Sequence, residues 1–311
     1  MKKIVLLIMV ILLALVLPAH AKDAPPELSV FPDNTQWVLH FDVQRFIATD
    51  FYGYFKEIKD GPINHFTDKI REKLNIDFLK DVSWITVFGQ RLDNENAAFC
   101  CKGNFNTAYL ISLVEKEITH RNIPYGKHTI HAWGKQFGAF AGSVFVFSKN
   151  ENMMKNVLDA IDGKNKNLKG VMPMTLTKGM PEGTFLSIVA DDLPSIMGNQ
   201  GNTFILKQTR MAFFMAMEKS GNLNLKLKMT AESAEAARNI EQVVRGLVAM
   251  AKLQQGEKTH EGHMGAHALL LKYLDDLMIV LDGNTLRLEL SVPSKELAEM
   301  LLAKKKSLLI H

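Results

Sequence analysis

The chain has 311 residues, is 47% hydrophobic and carries a formal net charge of +4 at neutral pH. A charge so near balance argues against nucleic acid as a main partner, because binding a phosphate backbone needs a concentrated basic surface. The apolar content suffices for one large core or two smaller ones. Only two cysteines are present, the neighbours Cys100 and Cys101, and adjacent cysteines on a strand point to opposite faces. We therefore expect no disulfide within the chain. A buried reduced pair and a bond to a second chain remain alternatives.

The N-terminus has the pattern of a secretory signal. Two lysines precede an uncharged run over residues 4–17, and an Ala-His-Ala cleavage site follows at residues 19–21. The run is shorter than the roughly 20 apolar residues of a membrane-spanning helix. We therefore predict a signal peptide over residues 1–21, with an uncleaved anchor as the alternative, and no transmembrane segment after cleavage. The mature protein is expected to be exported, either periplasmic or secreted.

The first mature elements are a strand and a broken helical region. The apolar segment from Trp37 to Phe41 predicts a buried strand, and Asp42 is suited to cap the helix that follows. The helical pattern from Val43 to Leu74 is interrupted by Gly61 and Pro62, which predicts two helices. Asp191 follows a matching strand later in the chain. The two aspartates also fit a catalytic pair, but capping is the favoured role.

The rest of the first half predicts two hairpins and two helices. Segments Trp84 to Phe88 and Ala97 to Lys102 are joined by a polar turn, as in a β-hairpin. The next helix has an apolar stripe at Leu110, Leu113 and Val114, which we expect to lie on the sheet. Strand residues from Val144 to Phe147 then lead into Ser148-x-x-Glu151, the reciprocal capping pattern of a closing helix.

The second half repeats this order. A strand over residues 185–190 is followed by a short helical region and a hairpin over residues 211–229. A long helix comes next, and a final hairpin and helix close the chain. The long helix has an apolar stripe that we expect to lie on the sheet, formed by Ala237, Ile240, Val244, Leu247 and Ala251.

The fold class predicted from this order is α+β. Each half reads β-α-β-β-α-β-β-α, which gives two tandem modules with largely antiparallel sheets covered by helices. The expected boundaries are residues 22–165 for the first module, 166–182 for a linker and 183–311 for the second module. Two separate domains and one shared sheet are both compatible with so short a linker.

Three passages carry a resemblance to a known group of proteins. They are the opening strand that ends in Asp42, the segment Cys101 to Asn106 that leads into a helix, and the segment Leu227 to Ala237. In these passages the chain resembles exported bacterial proteins of unknown function built from a duplicated α+β unit. The resemblance covers nearly the whole mature chain and implies no activity and no site residues.

One cluster of histidines has the chemistry of a metal site. Neutral imidazoles bind zinc or copper, and His260, His263 and His267 would share one face of a helix. Gly262 and Gly265 weaken a helix there, and the sequence fixes no fourth ligand. A solvated loop with incidental metal affinity is the alternative, so no cofactor is expected unless this cluster holds one.

Methionines and apolar strands give a further possibility. Met211, Phe213, Met215 and Met217 fall on one face of a strand, where they either fill the core or line a groove for an apolar ligand. Copper binding by the methionines is a weaker fit. The chain lacks a nucleophile elbow, a phosphate loop and a dinucleotide-binding glycine motif.

The sequence favours a non-enzymatic function. Export, a duplicated architecture and balanced charge together indicate a binding or interaction module of the cell envelope. Its partner would be another protein, an envelope component or a second copy of itself. The alternatives are a metal-binding protein or metal-dependent enzyme that uses the histidine cluster, and a carrier of an apolar ligand.

Overall fold

The computed structural model describes residues 30–56, 62–92, 95–164, 180–197, 204–257 and 272–299. The predicted signal peptide, the cluster of three histidines and most of the expected linker lie outside these ranges. The expectations for those segments therefore stay predictions.

The described strands form one antiparallel sheet of twelve, in the order β11-β12-β10-β9-β8-β1-β2-β3-β7-β6-β5-β4. The strands are β1 (Trp37–Asp42), β2 (Val82–Gly89), β3 (Ala97–Gly103), β4 (Arg121–Tyr125), β5 (His128–Trp133), β6 (Gln136–Ala141), β7 (Val144–Ser148), β8 (Thr184–Asp191), β9 (Thr209–Lys219), β10 (Asn222–Ala231), β11 (Met278–Asp282) and β12 (Thr285–Pro293). Strands β1 and β8 pair with each other, so the two halves of the chain share the sheet.

Helices lie between these strands. They are α1 (Val43–Ile47), α2 (Asp50–Lys56), α3 (Pro62–Leu74), α4 (Phe78–Asp81), α5 (Thr107–Val114), α6 (Glu151–Ile161), α7 (Leu193–Met197), α8 (Phe204–Gln208) and α9 (Ala234–Glu257). Residues 294–299 are also helical. The α+β class predicted from the sequence is confirmed. No helix in the described ranges is long and apolar enough to cross a membrane.

The strand order is the same in the two halves. Counted from its first strand, the first half runs β1-β2-β3-β7-β6 and the second runs β8-β9-β10-β12-β11. The first half continues outward through the hairpin β4–β5, which the predicted order of elements did not include. The first half is therefore the wider half of the sheet.

Alternation along the strands divides the side chains between two faces. Leu39, Cys101 and Leu225 lie on the first face, which α1, α4, α5 and α9 cover. Val38 and Cys100 lie on the second face, where the buried side chains of α6 pack. All six residues of β1 are buried, as expected for a strand in the middle of a covered sheet.

Local capping follows the sequence in most places. The Asp42 side chain accepts a hydrogen bond from the backbone N–H of Arg45 at 2.9 Å, which confirms its predicted capping role. Asn106 caps α5 in the same way. The predicted cap of α6 at Ser148 is wrong: Asn150 accepts from the N–H of Met153, while Ser148 donates to the carbonyl of Ala97. Asn150 precedes the first helical residue, which places its carboxamide closer to the free N–H groups.

The apolar stripe predicted on α9 packs on the sheet only in the first half of the helix. Ala237 and Ile240 are buried against the sheet, and Val244 is half-buried there. Leu247, which shares their spacing, is 55% exposed. The helix is longer than the sheet surface available to it, so its second half carries apolar residues into solvent.

Candidate apolar ligand site

A cavity of about 320 Å³ lies on the first face of the sheet in the first half. Its floor begins with a row of side chains that face one another across four neighbouring strands. Ile85 of β2 pairs with Cys101 of β3, which pairs with Phe145 of β7, which pairs with Phe140 of β6. A second row contributes Phe99 and His131. Side chains two residues apart on each strand point to the same face, and strand pairing places them beside those of the neighbouring strands. Together they form one continuous apolar floor.

The roof of the cavity comes from α3, α4 and α5 and from the short segments that precede α4 and α5. It is formed by Ile70, Leu74, Ile76, Phe78, Phe105, Leu110, Ile111, Leu113 and Val114. Helix α5 is composed almost wholly of apolar residues, yet none of its eight residues is fully buried. The stripe predicted to pack on the sheet instead faces the cavity. An apolar helix that stands off from its sheet leaves space that a hydrophobic molecule can fill.

One glycine creates part of this space. A Cβ atom at Gly138 of β6 would lie 3.1 Å from two ring atoms of Trp133 and 3.4 Å from the ring of Phe145. The absence of a side chain there lets the Trp133 ring lie across the strand. A larger residue would displace that ring within the cavity wall.

One histidine, His131, is among the residues that line the cavity, and it contacts a second histidine outside the lining. His131 of β5 is buried, and its Nδ1 lies 3.2 Å from Nε2 of His120. The two rings stack, with centroids 5.5 Å apart and planes at 17°. Burial lowers the pKa of His131, and neighbouring His120 lowers it further, whereas Glu115 raises it. His131 is therefore neutral at physiological pH.

The cysteines follow the prediction from their spacing. Cys100 and Cys101 are both free and buried, and they face opposite sides of the sheet. Burial raises the pKa of the Cys101 thiol to about 12, so this lining residue is an apolar wall rather than a nucleophile.

The residues predicted as sites from sequence lie elsewhere. His260, His263 and His267 fall outside the described residues, and within those residues no group of three or more His, Cys, Asp or Glu is arranged to hold a metal ion. Phe213, Met215 and Met217 are buried in the core on the second face. They fill the core as the sequence favoured, and the cavity lies in the other half.

Sequence reasoning missed the cavity because its residues look like core residues. Floor and roof both show regular apolar periodicity, and no pattern records whether two such surfaces touch. The one signal available was the run Leu110 to Val114, which is apolar on more than one side of the helix. A helix apolar all round is usually buried, and this one is not.

Comparison with known proteins shows a likeness of fold. No family model matches the chain, and no curated protein matches it. The alignment with a solved structure, crystal form III of TP0453, covers 91% of this chain and 100% of the TP0453 chain. Its TM-score is 0.51 and the sequence identity is 11%. Crystal form IV of TP0453 covers 89% of this chain and 96% of its own, with a TM-score of 0.47 at 12% identity. The likeness to crystal form III shows a similar fold and carries no function.

Proposed function

We propose that the protein is a non-enzymatic binding protein of the cell envelope that takes an apolar molecule into the cavity beneath α5. The observation that supports this proposal is the unfilled space between two apolar surfaces. The cavity volume of about 320 Å³ lies within the roughly 300 to 1,000 Å³ typical of ligand pockets. A purely structural core would close such a gap, because close packing is the rule in protein interiors.

Export is part of the same proposal. A carrier of hydrophobic molecules is useful in an aqueous compartment, and the predicted signal peptide over residues 1–21 would deliver the chain there. Processing is tested by the N-terminal sequence of protein recovered from the native cell. A mature N-terminus at Lys22 is expected, whereas an intact N-terminus would contradict cleavage.

The binding proposal is tested with an uncharged fluorescent probe, N-phenyl-1-naphthylamine. Leu110→Trp places a larger ring in the cavity and should weaken probe binding by about tenfold or more. The matched control is Leu253→Trp on α9, where the leucine is 74% exposed and far from the lining residues in sequence. Equal binding by the wild type and Leu110→Trp would overturn the proposal.

A second candidate function is self-association through α9. Val243, Leu247 and Met250 follow one another at four- and three-residue spacing, so they share one helix face, and all three are exposed. Met278 and Val280 of β11 are also exposed, but they alternate with Ile279 and Leu281, which pack toward α9, so they lie on the opposite face of the sheet and are not part of this surface. An exposed apolar helix face is a surface on which a second copy could pack.

Self-association is tested by sedimentation equilibrium. Leu247→Glu should shift the chain toward monomer, because it places a charge in the centre of the apolar surface. Ile118→Glu is the control, since Ile118 is fully exposed away from α9. A wild-type protein that is monomeric throughout the micromolar range would exclude this candidate.

We further infer that the two halves are copies of one ancestral unit, with the hairpin β4–β5 as an insertion in the first. Their equal strand order supports this inference. The metal alternative at His260, His263 and His267 stays a prediction. Elemental analysis of untagged protein tests it, and far less than one metal ion per chain would exclude it.

A further inference from the structure

The lining of the cavity offers a ligand hardly any polar group. Among the described lining residues there is no aspartate, glutamate, lysine or arginine, and only Cys101, His131 and Trp133 have side-chain atoms that can hydrogen-bond. Burial raises the pKa of the Cys101 thiol, which therefore stays protonated, and Nδ1 of His131 is engaged with His120 outside the lining. This surface can hold a molecule by close apolar contact, without a charged partner.

Such a lining discriminates against charge. A charged group that leaves water loses free energy unless an opposite charge or several hydrogen bonds replace the water around it. The described lining residues supply no opposite charge. A polar group without charge is also disfavoured where it stays unpaired. The cavity should therefore reject charged molecules whose hydrocarbon part it would accept.

One end of the cavity lies at strand β5. The floor crosses β2, β3, β7 and β6 in sheet order and ends with His131 and Trp133 of β5, while no described residue of β4, the next strand outward, lines it. The Trp133 ring lies across β6 because Gly138 has no Cβ atom, and two ring atoms are 3.1 Å from the position that a Cβ would take. A large ring over the floor at this end limits the length of a bound molecule.

We infer that the ligand is a single uncharged hydrocarbon of about ten carbons, and that the Trp133 ring sets the limit on its length. This inference rests on the proposed function and names the ligand class of the same cavity. A water molecule takes up about 30 Å³ in the liquid and a methylene group nearly as much. The cavity volume of about 320 Å³ therefore corresponds to about ten carbons.

The selectivity against charge is tested by competition for bound N-phenyl-1-naphthylamine at pH 7.5. The competitors are butylbenzene, 4-phenylbutyrate and 4-phenylbutylamine, which share a phenyl ring with a four-carbon chain and differ in charge. Butylbenzene should displace the probe from wild-type protein. The acid and the amine are both charged at this pH and should need concentrations at least about 100-fold higher.

A histidine variant tests whether recognition depends on a hydrogen bond. His131→Leu replaces the imidazole with an apolar side chain, so the affinity for butylbenzene should stay within about threefold of wild type or rise. His65→Leu is the matched control, because His65 is exposed on α3 and does not line the cavity. A tenfold loss in His131→Leu but not in His65→Leu would show polar recognition and would overturn the inference.

The length limit is tested with butylbenzene and hexylbenzene. Wild-type protein should bind hexylbenzene no more tightly than butylbenzene, because its two additional methylene groups meet the Trp133 ring. In Trp133→Ala they gain space, and since each buried methylene raises affinity about fourfold, hexylbenzene should bind more than about tenfold more tightly than butylbenzene. Tyr54→Ala is the control, because Tyr54 is an exposed aromatic residue of α2 outside the lining. Trp133→Phe makes the same test with a smaller change in volume.

The outcomes separate this inference from the proposed function. If the charged compounds displace the probe as readily as butylbenzene, the ligand class is overturned and the proposed function stands, because the cavity still binds. If both Trp133 variants keep the wild-type preference between the two alkylbenzenes, the ring does not limit length and the inference fails in that part. If wild-type protein binds neither the probe nor butylbenzene, the proposed function is overturned together with the inference.

Discussion

The two halves of the sheet differ in how a helix meets the same face. In the second half α9 buries Ala237 and Ile240 directly on the sheet, against Met229 and Leu286. In the first half α5 occupies the matching place in the order of elements, after the third strand, but buries none of its residues fully. Helix α9 packs directly on the sheet and completes a core, whereas α5 is separated from the sheet by a cavity. The same order of elements thus yields one half with a packed core and one half with a cavity.

The largest effect is expected in the packed half. Ile240→Ala removes a fully buried side chain beneath α9 and should lower the free energy of unfolding by about 3 kcal/mol. The measurement is urea unfolding followed by circular dichroism. A loss below about 1 kcal/mol would show that α9 is not packed as described.

The next effect concerns the strands where the halves meet. His40 of β1 lies between Thr86 and Ser187 on the neighbouring strands, and its Nδ1 is 2.7 Å from the Thr86 hydroxyl oxygen. Burial lowers the pKa of His40 to about 3, and the nearby charge of Arg45 adds to this. Folding therefore keeps the imidazole neutral while the unfolded chain titrates near pH 6.5.

The sign of the pH effect follows from this difference. Below pH 6.5 the unfolded state binds a proton that the native state does not, so stability is present above pH 6.5 and falls as the pH approaches 3. The loss should be about 2 kcal/mol between pH 6.5 and 4.5. His40→Gln, which cannot titrate, should have a shallower slope of unfolding free energy against pH. Identical slopes for the two proteins would contradict a buried neutral His40.

A smaller effect is expected in the cavity half. Leu110→Ala removes a side chain that is already poorly packed, so the free energy of unfolding should fall by about 1 kcal/mol or less. In the same variant, the change in the free energy of probe binding should be larger than the change in the free energy of unfolding. A cost equal to that of Ile240→Ala would mean that α5 is packed as tightly as α9, and the comparison between the halves would fail.

The smallest effect on stability is expected at Gly138. Gly138→Ala reduces the freedom of the unfolded chain but pushes the Trp133 ring aside, and these effects oppose each other. Stability should change by no more than about 0.5 kcal/mol. The fluorescence of the Trp133 indole should shift, and probe affinity should fall. Unchanged affinity would show that the ring does not border the bound molecule.

Much of the fold could be predicted because local chemistry decides it. Asp42 caps α1 since a short carboxylate after a buried strand satisfies a free helix N–H. The turn at Ser220 and Gly221 has positive φ at both residues, the geometry of a two-residue hairpin loop. The hairpin β4–β5 was missed because its exposed first strand, which includes Pro124, lacks a regular apolar pattern.

The candidate site could not be predicted in the same way. His120 and His131 are separated by a turn and a strand pairing, and their contact depends on the register of β4 with β5. The row from Ile85 to Phe140 likewise needs three strand registers at once. Each residue alone reads as core, and only their arrangement around an open space makes them a site.

The sequence by itself determined the α+β class, the start of α1, the turn between β9 and β10 and the opposite directions of the two cysteines, because these depend on neighbours within a few residues. The tertiary structure decided that the halves share one sheet, that α9 packs while α5 stands off, and that two histidines meet at a cavity. Those features depend on distances between segments far apart in the chain, and periodicity records which side of an element is apolar but not how closely another element approaches it.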